Sequence, residues 1–106
     1  MINSCIDRAG GVVPDTISCI TAESERQDKR LNQAYRQLLG LLSNPQKQSL
    51  KQAQRDWIKY RDSNSLYYYD PDGGQDAHVN SVMKYEEMTK QRTDELEAEL
   101  EFLKMK

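Results

Sequence analysis

Apolar residues recur along this chain at intervals of three, four and seven, which is the period of amphipathic α-helices. One such stripe runs through residues 14–43, a second through 45–69 and a third through 76–104. Each stripe predicts one long helix with a single buried face. The pattern therefore predicts an all-α fold for one domain over residues 1–106, built as a small antiparallel bundle of three main helices.

Glycine and proline residues set the predicted limits of the helices. Gly10 and Gly11 break a helix, so residues 1–13 are predicted to form an irregular arm. Asn44 is a favourable N-cap and Pro45 a favourable first residue for helix two. Because this connection is short, helices one and two are expected to lie antiparallel.

Composition limits the class of protein further. The chain has 106 residues, of which 37% are hydrophobic and 30% are charged, so its core must be thin. Its formal net charge of −2 argues against a general affinity for nucleic acid. No apolar run is long enough to span a bilayer, and no signal peptide is recognisable. We therefore expect neither a nucleic-acid partner nor a membrane span.

A basic stripe on helix two is a local exception to this charge balance. Lys47, Lys51, Arg55 and Lys59 follow one another at a spacing of four, which places them on one helix face. That face has no interleaved aromatic residues, which a nucleic-acid site would favour. The stripe is therefore predicted to be a solvated face.

The sequence contains no recognisable reaction centre. His78, the only histidine, has no cysteine or histidine at metal-ligand spacing. The turn around Asp70 and Asp72 lacks the later ligands of a calcium loop, and no glycine-rich phosphate loop is present. We therefore expect no metal, no cofactor and no enzymatic activity.

The two cysteines, Cys5 and Cys19, are close enough in sequence for a short-loop disulfide, with two free thiols as the alternative. A disulfide would fold the arm onto the first turns of helix one. Closing a loop of this size is worth about 3 kcal/mol in the chain-entropy model, which is large for a protein with a thin core.

Three groups of spaced residues carry a resemblance to a known family. They are Asp28-x-x-Leu31-Asn32-x-x-Tyr35, Gln54-x-x-Trp57-x-x-Tyr60-Arg61-Asp62 and Met88-Thr89-x-x-Arg92-x-x-x-Leu96. Together with the two cysteines they resemble the LprI-like family of small exported bacterial helical domains, named after a lysozyme inhibitor. The resemblance covers residues 5–96 and implies a periplasmic or secreted location, with a disulfide between Cys5 and Cys19.

The resemblance also implies a function. A member of this family is expected to be a non-catalytic binding protein that inhibits a lysozyme or another cell-wall hydrolase by protein–protein contact. The alternative is an envelope-associated interaction module, or an immunity-type module, with a different partner. Family members commonly carry two further cysteines, and the corresponding positions here are Ser65 and Lys84.

The polar motif residues allow two interpretations. They form either one buried hydrogen-bonded network that clamps the three helices, which is the favoured interpretation, or a functional site. The residues concerned are Asp28, Asn32, Tyr35, Gln54, Trp57, Arg61, Asp62 and Arg92. Since a buried arginine needs an acidic partner, Arg92 is expected to pair with Asp28 or Asp62.

Two surface features are candidates for contact with a partner. Three consecutive tyrosines enter the loop before helix three, and they point in different directions, so at least one ring should be exposed. The predicted contact residues are Tyr67, Tyr69, Asp70 and Asp72. The acidic segment from Asp94 to Glu101 is expected to help attract a basic lysozyme.

Overall fold

Four helices make up nearly all of the described chain. The computed structural model describes residues 2–106, apart from the side chain of Gln75. The helices are α1 (Ile2–Ala9), α2 (Val13–Leu41), α3 (Asn44–Tyr67) and α4 (Gly74–Lys104). No strand occurs among the described residues, which confirms the all-α class. None of the described helices is both long enough and apolar enough to cross a membrane.

The N-terminal arm is helical, so the prediction of an irregular segment over residues 1–13 was wrong for the residues described. Gly10 and Gly11 have φ angles of 60° and 84°, a region that glycine enters without strain. They end α1 and turn the chain into α2, and they do not prevent a helix before them. The bundle therefore has four helices instead of three.

The disulfide between Cys5 and Cys19 is present, as predicted, and ties α1 to α2. The two Cα atoms are 5.7 Å apart. Cys19 is buried, and so is Ala9 at the end of α1. Because α1 packs against α2, the disulfide and this small apolar contact together hold the arm on the start of α2.

A capping box starts α3. The Ser43 hydroxyl oxygen accepts a hydrogen bond from the Gln46 backbone N–H at 3.4 Å, and the Gln46 side-chain oxygen accepts one from the Ser43 N–H at 3.3 Å. This reciprocal pair satisfies donors that the first helical turn leaves without partners. The N-cap is therefore Ser43 and not Asn44, because Ser43 stands three residues before the glutamine.

The most extensive helix–helix contact joins α2 and α4, which are parallel. The Thr93 hydroxyl donates to the Gln27 carbonyl oxygen at 3.1 Å, and Arg30 pairs with Glu97 further along. Residue numbers rise together on the two helices, so both point in the same direction. Thr93 is completely buried, and its small side chain allows the two backbones to approach closely.

α3 runs antiparallel to α4. Arg92 donates to Gln54 near one end of the pair, and Ser81 donates to Ser65 near the other, so residue numbers run in opposite directions. The α3–α4 contact is smaller than the α2–α4 contact. The molecule is long and flat, with extents of 47 × 28 × 14 Å. In this flat arrangement the side of α3 that faces α2 is only partly covered.

The hydrophobic core lies between the C-terminal halves of α2 and α4. Its buried members are Leu31, Ala34, Leu38, Leu96 and Leu100. α3 contributes Leu50 and Trp57, which are partly buried against this cluster. Each fully buried leucine is worth on the order of 2 kcal/mol relative to an exposed one, so the α2–α4 pair carries most of the apolar stabilisation.

Noncovalent contacts join α3 to α4 around Ser65 and Lys84. The Ser81 hydroxyl donates to the carbonyl oxygen of Ser65, which is buried, at 2.8 Å. The Lys84 ammonium lies 5.0 Å from the ring centroid of Tyr68. This end of α3 is therefore held by a hydrogen bond and a cation–π contact.

Candidate functional site

A half-open groove of about 440 Å³ lies between α2 and α3 and includes one residue of α4. We call it the motif groove. Its lining residues are Asp28, Leu31, Asn32, Tyr35, Lys51, Gln54, Arg55, Trp57, Ile58, Arg61 and Tyr85. Its volume is in the range of sites that bind small organic molecules.

Most of the polar motif residues meet in this groove. Those that line it are Asp28, Asn32, Tyr35, Gln54, Trp57 and Arg61. Asp62 and Arg92 lie outside the lining, and each forms a hydrogen bond to a residue within it. The fold thus brings the motif residues of both helices to one site that is open to the surface.

The hydrogen bonds among the motif residues form separate pairs. The Asn32 amide donates to an Asp28 carboxylate oxygen at 3.5 Å within α2. Arg61 Nε donates to an Asp62 carboxylate oxygen at 3.0 Å within α3. No hydrogen bond among the described residues joins a side chain of α2 to one of α3. The motif residues therefore do not form one continuous hydrogen-bonded network through the helices.

Arg92 links α4 to α3 through an amide. Its Nε donates to Gln54 Oε1 at 3.0 Å, and its Nη1 pairs with Glu95 on the next turn of α4. The expected pairing of Arg92 with Asp28 or Asp62 was wrong. Asp62 bonds to Arg61 on its own helix, and Arg92 pairs with Glu95, three residues away on α4. Gln54, which is buried, therefore links α3 to α4 through a side-chain hydrogen bond.

Arg61 places a buried charge in the motif groove. Its side chain is 9% exposed. Its Cζ atom lies 4.9 Å from the Trp57 ring centroid and 4.1 Å from the Tyr85 ring centroid. Cation–π contacts are worth about 2 kcal/mol when desolvated. Burial raises the pKa of Tyr85, and the charge of Arg61 partly opposes that shift, so the ring is a neutral partner for the guanidinium.

Part of the basic stripe on α3 lies at the motif groove. Lys51 and Arg55 line the groove, and Lys51 is half-buried. Arg55 donates to Gln52 at 2.8 Å, and neither cation forms an ion pair within the described part of the chain. Lys59 is exposed, as predicted. The stripe is therefore a solvated face over only part of its length.

Tyr85 is a groove residue that the sequence interpretation missed. It lies on α4 four residues before Thr89 and seven before Arg92, so it shares their helix face. The spacing of Tyr85 from these two motif residues could therefore have placed it on the same helix face. Lys51 likewise stands three residues before Gln54, but its spacing of four from Lys47 and Arg55 is equally typical of a solvated face, and the solvated face was the interpretation chosen.

The connection between α3 and α4 forms an exposed tip, which we define as Tyr67–Gly74. Tyr67 is 80% exposed. The Asp70 carboxylate accepts a hydrogen bond from the Asp72 N–H at 2.9 Å, which orders the turn. Neither carboxylate forms an ion pair with another described residue, and the tip shares no lining residue with the motif groove. All of the predicted contact residues are exposed: Tyr67, Tyr69, Asp70 and Asp72.

His78 lies near the start of α4, beside the tip. Its ring centroid is 6.2 Å from that of Tyr69, with the two rings close to perpendicular. Across residues 2–106, leaving aside the Gln75 side chain, no three histidine, cysteine, aspartate or glutamate side chains are grouped as a metal ion would require. The contact of its ring with Tyr69 makes the histidine an aromatic neighbour of the tip.

The acidic residues near the end of α4 are mostly paired within the chain. The ion pairs are Lys90–Asp94, Arg30–Asp94, Arg30–Glu97, Arg92–Glu95 and Lys104–Glu101. Exposed pairs of this kind add little stability, but they offset the charge that a partner would meet. The acidic segment therefore offers less charge for attracting a basic partner than the sequence indicates.

Comparison with known proteins places this fold in a family. No curated protein and no solved structure gave a significant match to the chain. The family model described as lysozyme inhibitor LprI matches residues 5–96. This match spans both cysteines, the motif groove and the tip. The chain therefore belongs to the lysozyme inhibitor LprI family.

Proposed function

We propose that this protein is an exported, non-catalytic binding protein that inhibits a lysozyme-type cell-wall hydrolase by direct contact. The observation that carries the proposal is the family match over residues 5–96. The disulfide between Cys5 and Cys19 suits a chain that folds in an oxidising compartment, which supports a periplasmic or secreted location.

The chemistry of the motif groove supports binding in preference to catalysis. Glycoside hydrolysis ordinarily uses two carboxyl groups that flank the scissile bond. Asp28 is the only carboxylate in the lining, and it accepts a hydrogen bond from the Asn32 amide. The lining also contains no histidine, cysteine or serine to act as a base or nucleophile.

Within this proposal, the tip Tyr67–Gly74 is the surface that contacts the enzyme. Tyr67 offers a large exposed ring, and tyrosine is enriched in protein interfaces. Asp70 and Asp72 offer carboxylates without ion-pair partners among the described residues, and such groups complement a basic enzyme surface. A turn that projects between two helices also suits entry into a cleft.

The test is inhibition of a c-type lysozyme by the purified, oxidised protein, followed as the clearing of a cell-wall suspension. We expect stoichiometric inhibition that weakens at high salt, because the proposed contact includes two carboxylates. The double variant Tyr67→Ser, Asp70→Asn should inhibit about tenfold less well. Tyr60→Ser should inhibit normally, because Tyr60 is 61% exposed but lies on α3 outside the tip.

The outcomes separate this proposal from its alternative. Normal inhibition by the tip double variant contradicts the assigned contact surface. No inhibition by the wild-type protein at saturating concentration contradicts the proposed function. That second result favours an envelope-associated or immunity-type partner, which cross-linking in the native envelope would identify.

A further inference from the structure

Arg61 carries hydrogen-bonding capacity that the fold does not use. Its side chain is 9% exposed, yet only its Nε bonds to the protein, through Asp62 at 3.0 Å. The N–H groups on its two η nitrogens have no acceptor among the described residues. No described polar side-chain atom is both fully enclosed and without a partner, so these nitrogens retain some access to solvent. Arg61 lines the motif groove.

The motif groove is a positive site on a chain with a formal net charge of −2. Lys51, Arg55 and Arg61 line it, against one lining carboxylate, Asp28. A guanidinium with open η nitrogens is suited to an anion, because its planar fork matches two oxygens of a carboxylate or a phosphate. The charge and geometry of the groove therefore point to an anionic ligand.

The acidic groups near Arg61 favour one negative charge on that ligand over two. Asp62 already bonds to the Nε of the guanidinium, and Asp28 stands in the same lining. A phosphate dianion would be repelled by both carboxylates. A carboxylate carries a single charge and needs only the two η nitrogens that remain open.

The rest of the lining suits a ligand group that has a flat face and hydrogen-bonding edges. Trp57 and Tyr35 contribute aromatic rings, and Leu31 contributes apolar surface. Asn32 and Gln54 contribute amides, which both donate and accept hydrogen bonds. Sugar rings and peptide groups combine such faces and edges, and about 440 Å³ is enough for a ligand of that size.

We propose that the motif groove binds a small organic monocarboxylate. The η nitrogens of Arg61 hold the carboxylate, and Trp57 packs against the adjoining sugar or peptide group. The site shares no lining residue with the tip Tyr67–Gly74, so it does not depend on the inhibition of a lysozyme. Failure of one activity therefore leaves the other open to its own test.

Titration of the oxidised wild-type protein, followed by nuclear magnetic resonance, tests this proposal with matched probes. N-acetylmuramic acid is compared with N-acetylglucosamine, and N-acetyl-alanyl-alanine is compared with its C-terminal amide. At least one acid should shift the Trp57 indole and Arg61 Nε signals saturably, with an affinity about tenfold or more above that of its neutral partner. The acid that binds more tightly identifies the sugar or the peptide as the source of the carboxylate.

A matched pair of variants locates the binding. Arg61→Lys keeps the charge but loses the planar fork, so it should weaken binding of the acid by about tenfold. Arg36→Gln should bind normally, because Arg36 is exposed on α2 and lies outside the groove lining. Circular dichroism verifies that Arg61→Lys keeps its helices, and the comparison of probes on the wild-type protein stands without either variant.

Three results would overturn the proposal. The first is the absence of any saturable shift with either acid. The second is equal binding of an acid and its neutral partner, which would show that the carboxylate is not recognised. The third is binding of inorganic phosphate as tightly as the better acid, which would show that the groove does not select a single charge.

Discussion

The guanidinium of Arg61 lies 4.1 Å from the ring centroid of Tyr85, and this contact joins α3 to α4 beside the motif groove. Trp57 lies on the same guanidinium at 4.9 Å. A buried cation is tolerated only when its charge is compensated, and here two rings and the Asp62 carboxylate provide that compensation. The contact therefore anchors α3, and it leaves the η nitrogens without an acceptor among the described residues.

Arg61→Met and Tyr85→Leu are expected to be energetically coupled. Either substitution removes the cation–π contact, so a double-mutant cycle on the free energy of unfolding should give a coupling of about 0.5–2 kcal/mol. Urea denaturation measures the four unfolding free energies. A control double-mutant cycle combines Arg61→Met with Tyr67→Leu. Because Tyr67 is exposed at the tip, the effects of these two substitutions on the free energy of unfolding should add. Additivity in the first cycle would contradict the prediction.

The hydroxyl of Thr93 is expected to stabilise the α2–α4 pair. Its single proton is shared between the Thr89 carbonyl oxygen at 2.8 Å and, across the helix contact, the Gln27 carbonyl oxygen at 3.1 Å. Thr93→Val keeps the side-chain shape and should lower the free energy of unfolding by about 1 kcal/mol. Thr89→Val is the matched control, because that buried hydroxyl donates only within α4, to Tyr85. Equal losses in the two variants would show that the bond between helices contributes nothing.

Opening the disulfide between Cys5 and Cys19 is expected to lower the free energy of unfolding by about 3 kcal/mol, the value for a loop of this size. Urea denaturation of the oxidised and reduced wild-type protein measures the change, and Cys5→Ala, Cys19→Ala should resemble the reduced protein. In hydrogen exchange, α1 should lose protection first, since it packs against α2 outside the leucine core. An unchanged urea midpoint would disprove this role.

Glu86 is a buried carboxyl group whose pKa is raised, chiefly by burial and next by the charge of Glu23. Glu23 itself has a lowered pKa, because Arg26 and Gln27 donate hydrogen bonds to it, so it stays ionised. A carboxyl whose folded-state pKa exceeds its unfolded value binds its proton more tightly in the folded protein. Its ionised form therefore lowers stability at neutral pH, and the loss is relieved as the pH falls through the folded-state pKa.

Glu86→Gln is expected to raise the free energy of unfolding at pH 7, because it removes the buried charge and keeps the side-chain shape. The gain should shrink as the pH falls through the raised pKa of Glu86 and disappear below the ordinary carboxyl pKa of 4.5, where the wild-type residue is protonated in both states. Urea denaturation between pH 7 and pH 4 measures this dependence. Glu99→Gln, an exposed glutamate with no ion pair among the described residues, should change little, and a gain independent of pH would refute the assignment.

The helices were largely predictable because a helix is a local structure. The predicted helix 45–69 and the observed Asn44–Tyr67 differ by one residue at the start and two at the end. α1 was missed because an eight-residue helix is too short to show a clear apolar period, and Gly10 and Gly11 dominated the interpretation. Their positive φ angles mark a turn between two helices, which composition alone does not distinguish from an irregular arm.

The all-α class, the disulfide and the family follow from the sequence, because each depends on residue types and spacings along the chain. The fold was needed to show that the motif residues line an open groove, that Lys51 and Arg55 face it, and that Arg92 bonds to Gln54. Spacing defines the face of one helix, whereas the pairing of polar groups depends on the distance between helices. That distance is small at Thr93, where α2 meets α4, and the side of α3 towards α2 remains open.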